Sequence, residues 1–369
     1  MKKRWFFVFV ALMIAVCLVA TGCGEPEDVG VTEEPGEPAA EAEEEVITLI
    51  AQSAFPRGDI GGDALAYFAE VAAEYSDGTL QIDTFAEPEV VAMFEVPDAL
   101  VEGLIDITQA HAGLWSGRGM YVGDVEFGLP YGYVIPEIPD FKGKAEEILR
   151  FFYEDGFLDI LREEYAKQGI HWLGINTFGP VGHFNATEKA AKALQGTPDD
   201  LKGLVVRTDS TWMEWNHKVG MVGQDMAPGD AYTGLQTGTL DAHIWDVSAY
   251  LGMGFEEVAP YMVLGTENEH SLGNTVMSLA VWESLSPKQQ DALTKAAEDY
   301  FFKTVDLYTE ALEELQEKID KGEIIQVHMS DENLELHRKT AYELWDEMGA
   351  RDEASTKAVE LFKKWRGVE

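Results

Sequence analysis

The sequence predicts an α/β fold in two lobes joined by one long helix. Three observations carry that reading. Strand-like and helix-like stretches alternate in two successive runs, a Gly- and Pro-rich stretch at 115–142 separates the runs, and one apolar stripe of helical period extends over 286–321. Strands that alternate with helices argue a largely parallel sheet covered by helices.

The first run opens with a β-rich stretch at 46–51. Ala64, Phe68, Val71 and Ala72 then recur at helical spacing on one face, and Ser76-Asp77-Gly78 breaks that helix. Residues 80–85 alternate as a strand, 94–102 form a helix stopped by Gly103, and 105–108 form a strand. Beyond the Gly- and Pro-rich stretch, one helix is expected over 144–168 and a strand over 170–175. The second run reads as a strand at 204–207, a helix at 211–219, a strand around Met221, a helix at 231–236 and a strand at 240–245. Residues 46–175, with roughly 266–300, are assigned to lobe I. Residues 176–265, with roughly 301–330, are assigned to lobe II.

Ser286-Pro287 opens the long helix, with Pro in the first turn where its missing N–H costs nothing. Leu293, Ala297, Tyr300, Thr304, Tyr308, Ala311, Leu315 and Ile319 share one face, and Gly322 is the stop. At 1.5 Å per residue the helix is roughly 50 Å long, enough to span both lobes. A coiled-coil arm is the alternative, but the stripe is wide and aromatic rather than a strict heptad. A strand at 324–327 and helices at 331–349 and 353–366 complete the chain, the last two forming a C-terminal segment, 331–369.

Ahead of the lobes, Lys2, Lys3 and Arg4 precede an apolar run at 5–20 and the sequence Ala20-Thr21-Gly22-Cys23. A basic start, a short apolar core and small residues describe an export signal. The run is short for a stable membrane span of about 20 residues. The small residues before Cys23 resemble a bacterial lipobox, which implies that 1–22 is a lipoprotein signal peptide and that Cys23 is acylated. An ordinary secretory signal or an uncleaved anchor are the alternatives. Residues 23–45 hold Glu, Pro, Gly and Ala with almost nothing that packs, so they read as an acidic disordered linker. The expected location is extracytoplasmic, with a lipid anchor to the cell membrane.

The chain has two cysteines. Cys17 falls in the segment to be removed and Cys23 at the acylation point, which leaves no disulfide framework, thiolate metal site or cysteine nucleophile. A formal net charge of −40 excludes nucleic acid and disfavours an anionic membrane surface. At physiological ionic strength that field is screened beyond about 8 Å, so an anionic ligand needs a local cation facing it. Hydrolase, zinc-protease and phosphate-loop signatures are absent. Glu269-His270 reads as a surface polar contact, and Asn185-Ala186-Thr187 as an accidental glycosylation match.

The informative stretch is Asp199-Asp200-Leu201-Lys202-Gly203-Leu204-Val205-Val206-Arg207. It places Arg207 at the carboxyl end of a short buried strand, where ligands sit in open α/β folds. A guanidinium there offers a planar fork matching a carboxylate at any physiological pH. Pairing with a nearby Asp or Glu is the plainer alternative.

Leu201 to Arg207, followed by Ala231-Tyr232-Thr233-Gly234-Leu235-Gln236-Thr237-Gly238-Thr239-Leu240-Asp241-Ala242, resembles the DctP-type solute-binding proteins of TRAP (tripartite ATP-independent periplasmic) transporters. Glu89-Val90, Phe94-Glu95-Val96, Ala99 and the turn from Gly103 to Ile105-Asp106 are similar to the branch that binds keto and hydroxy acids. Leu285-Ser286-Pro287-Lys288-Gln289-Gln290 fits as well. The resemblance implies a two-lobed periplasmic-binding-protein-like fold with a ligand cleft between lobes and a helix spanning both. It implies binding of a small organic acid without chemical conversion, and docking on TRAP membrane permease subunits. A sensing module for a membrane receptor and an extracytoplasmic enzyme are the rival readings.

By the same resemblance Arg207 pairs with the ligand carboxylate, Trp245 walls the cleft, and His183-Phe184 falls at an aromatic pair of the second lobe. Phe178, Trp115 and Asp246 are added for their local position. Gly182 stands where many members carry a second arginine. Gly179 and Ile244 stand where the keto-acid branch uses a glutamine and a glutamate to hold a cation. A ligand-associated cation is therefore not expected, unless Asp246 supplies a carboxylate from a shifted position, and no cofactor or resident metal is. Monomer and homodimer both stay open, since relatives pair through terminal helices and Tyr342, Leu344, Trp345, Phe362 and Trp365 could serve such a contact or pack on the core.

Overall fold

The alternation of Leu49 with Ala51, both buried, starts a strand that the structure extends to Pro56. The structure, a computed structural model, describes residues 45–368 except 182, 209, 267 and 269. The signal segment, Cys17, Cys23, nearly all of the acidic linker, Gly182 and Glu269 lie outside the described residues. Eleven strands follow in chain order: β1 (Ile47–Pro56), β2 (Leu80–Glu87), β3 (Ile107–Ala110), β4 (Ile170–Thr177), β5 (Phe184–Ala186), β6 (Val205–Arg207), β7 (Val222–Gln224), β8 (Ala242–Ile244), β9 (Tyr261–Leu264), β10 (Leu272–Ser278) and β11 (Ile325–His328). They form two sheets, ordered β2-β1-β3-β10-β4 in lobe I and β11-β9-β5-β8-β6-β7 in lobe II. The two-lobed α/β class expected from the sequence is what the chain adopts.

Both sheets are mixed rather than largely parallel. β10 runs antiparallel between β3 and β4, and β5 runs antiparallel to β8 and β9. The cause is the path of the chain. β5 and β10 are the first strands after the chain crosses from one lobe to the other, and a strand entered directly from the opposite lobe runs against its neighbours. The two crossing segments pair with each other: Phe178 N donates to Ser271 O, Ser271 N to Gly179 O, and Val181 and Asn268 exchange both bonds. These paired segments connect the two lobes.

The long helix is Pro287–Asp320, capped by Ser286 and Gln289 in a reciprocal capping box. It touches both lobes. Tyr300 packs near Phe68 and its hydroxyl donates to Gly61 O in lobe I (3.0 Å), while Tyr308 donates to Asp246 (3.2 Å) and Lys318 to Tyr250 O (2.9 Å) in lobe II. The coiled-coil alternative falls, because the stripe is spent on the chain's own sheets.

The helix expected over 144–168 is two helices, Phe141–Glu154 and Phe157–Lys167. Gly156 breaks it with a φ of 88°, a conformation that costs glycine little. On that outer face of lobe I, Phe151 stacks on Trp365 at 4.5 Å, with Phe157 and Phe362 beside them. Leu344, Trp345 and Phe362 are buried, Tyr342 lies against Trp345, and Trp345 Nε1 donates to Pro130 O. All five aromatic and leucine candidates for self-association thus pack within their own chain. No helix among the described residues is long and apolar enough to cross a membrane.

Candidate functional site

Strands that run in one direction in both sheets aim their carboxyl ends at the interlobe gap, and side chains just there meet. Phe55 comes from the end of β1, His111 follows β3, Phe178 follows β4, Arg207 ends β6, and Trp245 and Asp246 follow β8. Together with Phe127, Val181, Thr208, Trp212, Ile244 and Ser271 they line one cavity. Phe55 is edge-on to Phe178 (4.6 Å) and to Trp245 (5.7 Å), and His111 lies 4.7 Å from Phe127.

Among the described residues that line the cavity, Arg207 is the one lysine or arginine. It is buried, its Cζ lies 4.7 Å over the Trp245 ring, and its Nε donates to Met226 O at 2.8 Å. A guanidinium over an indole face gains cation–π attraction that grows as water is excluded. His243 lies alongside Trp245 with its ring nearly parallel. Burial, with Arg207 close by, holds that imidazole well below its ordinary pKa and so uncharged.

Trp245 also joins the lobes. Its Nε1 donates to Asp59 Oδ2 of lobe I at 3.1 Å, and Asp59 caps the short helix Ile60–Asp63 through Gly62 N. Beside it, Ile60 N donates to Ser248 Oγ across the gap (3.1 Å). Gly58 and Gly252 bring the two backbones into contact: a Cβ on Gly252 would run into Gly58 O, and one on Gly58 would lie 3.0 Å from Gly252 O. Farther out, Arg351 holds Asp124 of lobe I (2.9 Å) and Glu214 of lobe II (2.7 Å). The lobes are therefore seen closed.

Of the residues singled out from sequence, Arg207, Trp245, Phe178 and Asp246 meet in the cavity, whereas Trp115 and His183 do not line it. Trp115 is buried edge-on against Tyr165 in lobe I. His183 is buried near Tyr250 and faces a separate hollow with Pro180 and Leu312. His270 is buried rather than at the surface, since it stacks on Phe141 at 4.0 Å and contacts Thr177 Oγ1 and Phe141 O through its two nitrogens. Asn185 is buried within β5 and so offers no accessible glycosylation site. Gly179 has a φ of 70°, and a side chain there would collide with Tyr308. Ile244 presents an aliphatic wall to the cavity. Phe55, His111, Phe127 and Trp212 were missed by sequence reasoning, although Phe55 and His111 sit at the same strand ends that singled out Arg207.

A cavity closed between two lobes on a single guanidinium defines a solute-binding protein. The family model described as bacterial extracellular solute-binding protein, family 7 (DctP), matches residues 50–352, and the chain belongs to that family. It is accordingly an extracytoplasmic binding protein and not an enzyme. A monocarboxylate 2-oxoacid-binding periplasmic protein of Nostoc is 23% identical over 305 residues, which are 81% of this chain and 78% of that protein. A TRAP periplasmic solute-binding protein of Pseudoalteromonas atlantica, with bound sodium and pyruvate, superposes with a TM-score of 0.75 at 22% identity over 88% of this chain and 94% of that one. The apo open structure of a TRAP periplasmic solute-binding protein of Rhodobacter sphaeroides gives 0.62, at 22% identity over 87% and 98%.

Proposed function

We propose that this protein captures a small monocarboxylate with a compact apolar body and delivers it to a TRAP-type membrane permease. The observation that carries the reading is Arg207: one buried cation faces a cavity otherwise walled largely by Phe55, Phe127, Phe178, Trp212, Ile244 and Trp245. One carboxylate finds its counter-charge there. A second carboxylate would be desolvated against aromatic rings and Asp246, and an unpaired buried charge costs several kcal/mol. Among the described residues Trp212 Nε1 is buried without a hydrogen-bond partner, which leaves it to an oxygen of the ligand or a water. The relatives named for 2-oxoacids and pyruvate agree in ligand class.

Arg207 and Trp245 form the anchoring side, Phe178 the wall at the connecting segments and Asp246 the rim nearest the lobe contact. Trp115 and His183 act behind these walls. The ligand is taken without a cation, because Tyr308 fills the space beside Gly179 and Ile244 supplies no charge. Cys23 carries the lipid anchor, and the lobes divide near residues 176 and 266. A thermal-shift series of mono- and dicarboxylates, with and without calcium or sodium, tests the ligand reading. Binding raises apparent stability by mass action, so pyruvate and its homologues are expected to raise Tm and succinate is not. No shift with any carboxylate removes the reading. For the anchor, Cys23→Ser is expected to release the protein from the membrane fraction.

A further inference from the structure

Two buried carboxylates meet where the lobes close: Asp246, which also lines the cavity, and Asp59, which does not. Asp59 belongs to lobe I and accepts from Gly62 N (2.8 Å) and Trp245 Nε1 (3.1 Å). Asp246 belongs to lobe II and accepts from Ser248 N (2.6 Å) and the Tyr308 hydroxyl (3.2 Å). Among the described residues no lysine or arginine bonds to either. The titratable and charged groups around them come from each packed element. Asp63 lies on the helix of Asp59, Tyr300 and Tyr308 face them from the long helix, and Arg207 and His243 lie against Trp245. Asp63 is exposed and engaged by Arg57. The Arg207 guanidinium lies over the Trp245 indole.

Opening the lobes separates Asp59 from Trp245 and from Asp246 and returns both carboxylates to water, where an aspartate ionises near pH 4. Closing brings two negative charges together in a buried seam. Burial raises both above the ordinary aspartate range, and the charge of Asp59 pushes Asp246 up further.

We propose that Asp59 and Asp246 form a proton-gated latch, in which each closure takes one proton from solvent onto the carboxylate pair and each opening returns it. The step is a single protonation: one O–H bond forms on a carboxylate oxygen, the proton comes from water, and the pair keeps one negative charge held by the indole N–H and the Tyr308 hydroxyl. Asp59 is a positioning residue, acting on the ligand wall through Trp245. The sign follows from linkage: the closed form binds the extra proton, so closure is favoured as pH falls and is lost as pH rises through the closed-state pKa. Between the open-state and closed-state values the closed fraction relative to open changes about tenfold per pH unit for one proton. A protein with this latch releases a proton together with each solute it hands over.

The test needs no ligand, so it stands apart from the organic-acid reading. Small-angle scattering of the ligand-free chain at about pH 5 and about pH 8 reports lobe closure, for wild type and for Asp59→Asn combined with Asp246→Asn. The wild type is expected to contract at the lower pH, with at least about tenfold more closed molecules. The double variant, neutral throughout, is expected to keep one radius of gyration at both. An unchanged wild-type radius, or an equal pH response in the double variant, overturns the latch. So does full contraction at about pH 8 on adding sodium or calcium chloride, which would make an inorganic cation the counter-charge. Should the double variant fail to fold, Asp246→Asn alone must move the midpoint of the response downward by removing the neighbouring charge. An unmoved midpoint overturns the proposal equally.

Discussion

The two lobes share a plan, a sheet whose strands aim their carboxyl ends at one cavity, yet each buries its own titratable groups and they differ in the charge they bring to that cavity. Lobe I buries an acid. Glu126 is surrounded by Trp172 Nε1 (2.8 Å), the Tyr165 hydroxyl (2.7 Å) and Asn274 Nδ2 (3.1 Å), and burial pushes its pKa up to about 7. Lobe II buries His183 and His243, as lobe I buries His111 and His270. His183 and His337 are each lowered to about 4 by burial, and His243 is held down as well. A buried carboxyl favours acid, whereas a buried neutral imidazole favours neutral pH. The cavity sets Arg207 from lobe II against Phe55, His111 and Phe127 from lobe I. In the cavity, then, the guanidinium comes from one lobe and Phe55 and Phe127 of the apolar wall from the other.

The sharpest break of that arrangement is Arg207→Ala, which is expected to weaken binding of a carboxylate by roughly 2 to 5 kcal/mol, measured by calorimetry. Near-unchanged affinity would remove the guanidinium as the ligand's counter-charge. Next come the histidines. Their folded pKa lies below the unfolded value near 6.5, so the unfolded chain binds more protons and stability falls as pH drops from about 6.5 toward 4. His183→Phe is expected to flatten the slope of urea-unfolding free energy there by about 1.4 kcal/mol per pH unit. A slope equal to wild type would mean His183 titrates normally.

Glu126 acts with the opposite sign. Its folded pKa is raised, so the stability it lends is full below about pH 4.5 and falls as pH rises toward about 7, by about 3 kcal/mol at most. Glu126→Gln is expected to remove that decline from the pH profile of unfolding. The smallest effect belongs to the apolar wall. Phe55→Ala should cost ligand affinity only about 1 kcal/mol, since it trims wall area without touching charge. A loss as large as that of Arg207→Ala would erase the difference between guanidinium and wall.

Much of this was legible in the chain. The strand ending in Arg207, the two α/β runs and the helix opened by Ser286-Pro287 each carry local signals, namely apolar period, a capping box and strand-end position. What escaped has physical reasons. β5 and β9 are three and four residues long, too short to show a period. β10 reads Leu-Gly-Asn-Thr-Val-Met-Ser, with polar residues buried on both faces, so alternation of polarity fails. His183 directly precedes β5, and its side chain faces a separate hollow rather than the cavity. Asp59 was invisible because its role depends on Trp245, 186 residues away.

The Gly58–Gly252 contact gives the molecule a seam without thickness. A side chain at Gly252 would collide with the Gly58 carbonyl oxygen, and a single methyl group is expected to wedge the lobes ajar. Selection can therefore vary the walls of the cavity to retune what is carried, but it cannot vary this pair without jamming the door. Conversely, Gly252→Ala offers a way to hold the unladen conformation still, long enough to ask which form the membrane partner prefers to meet.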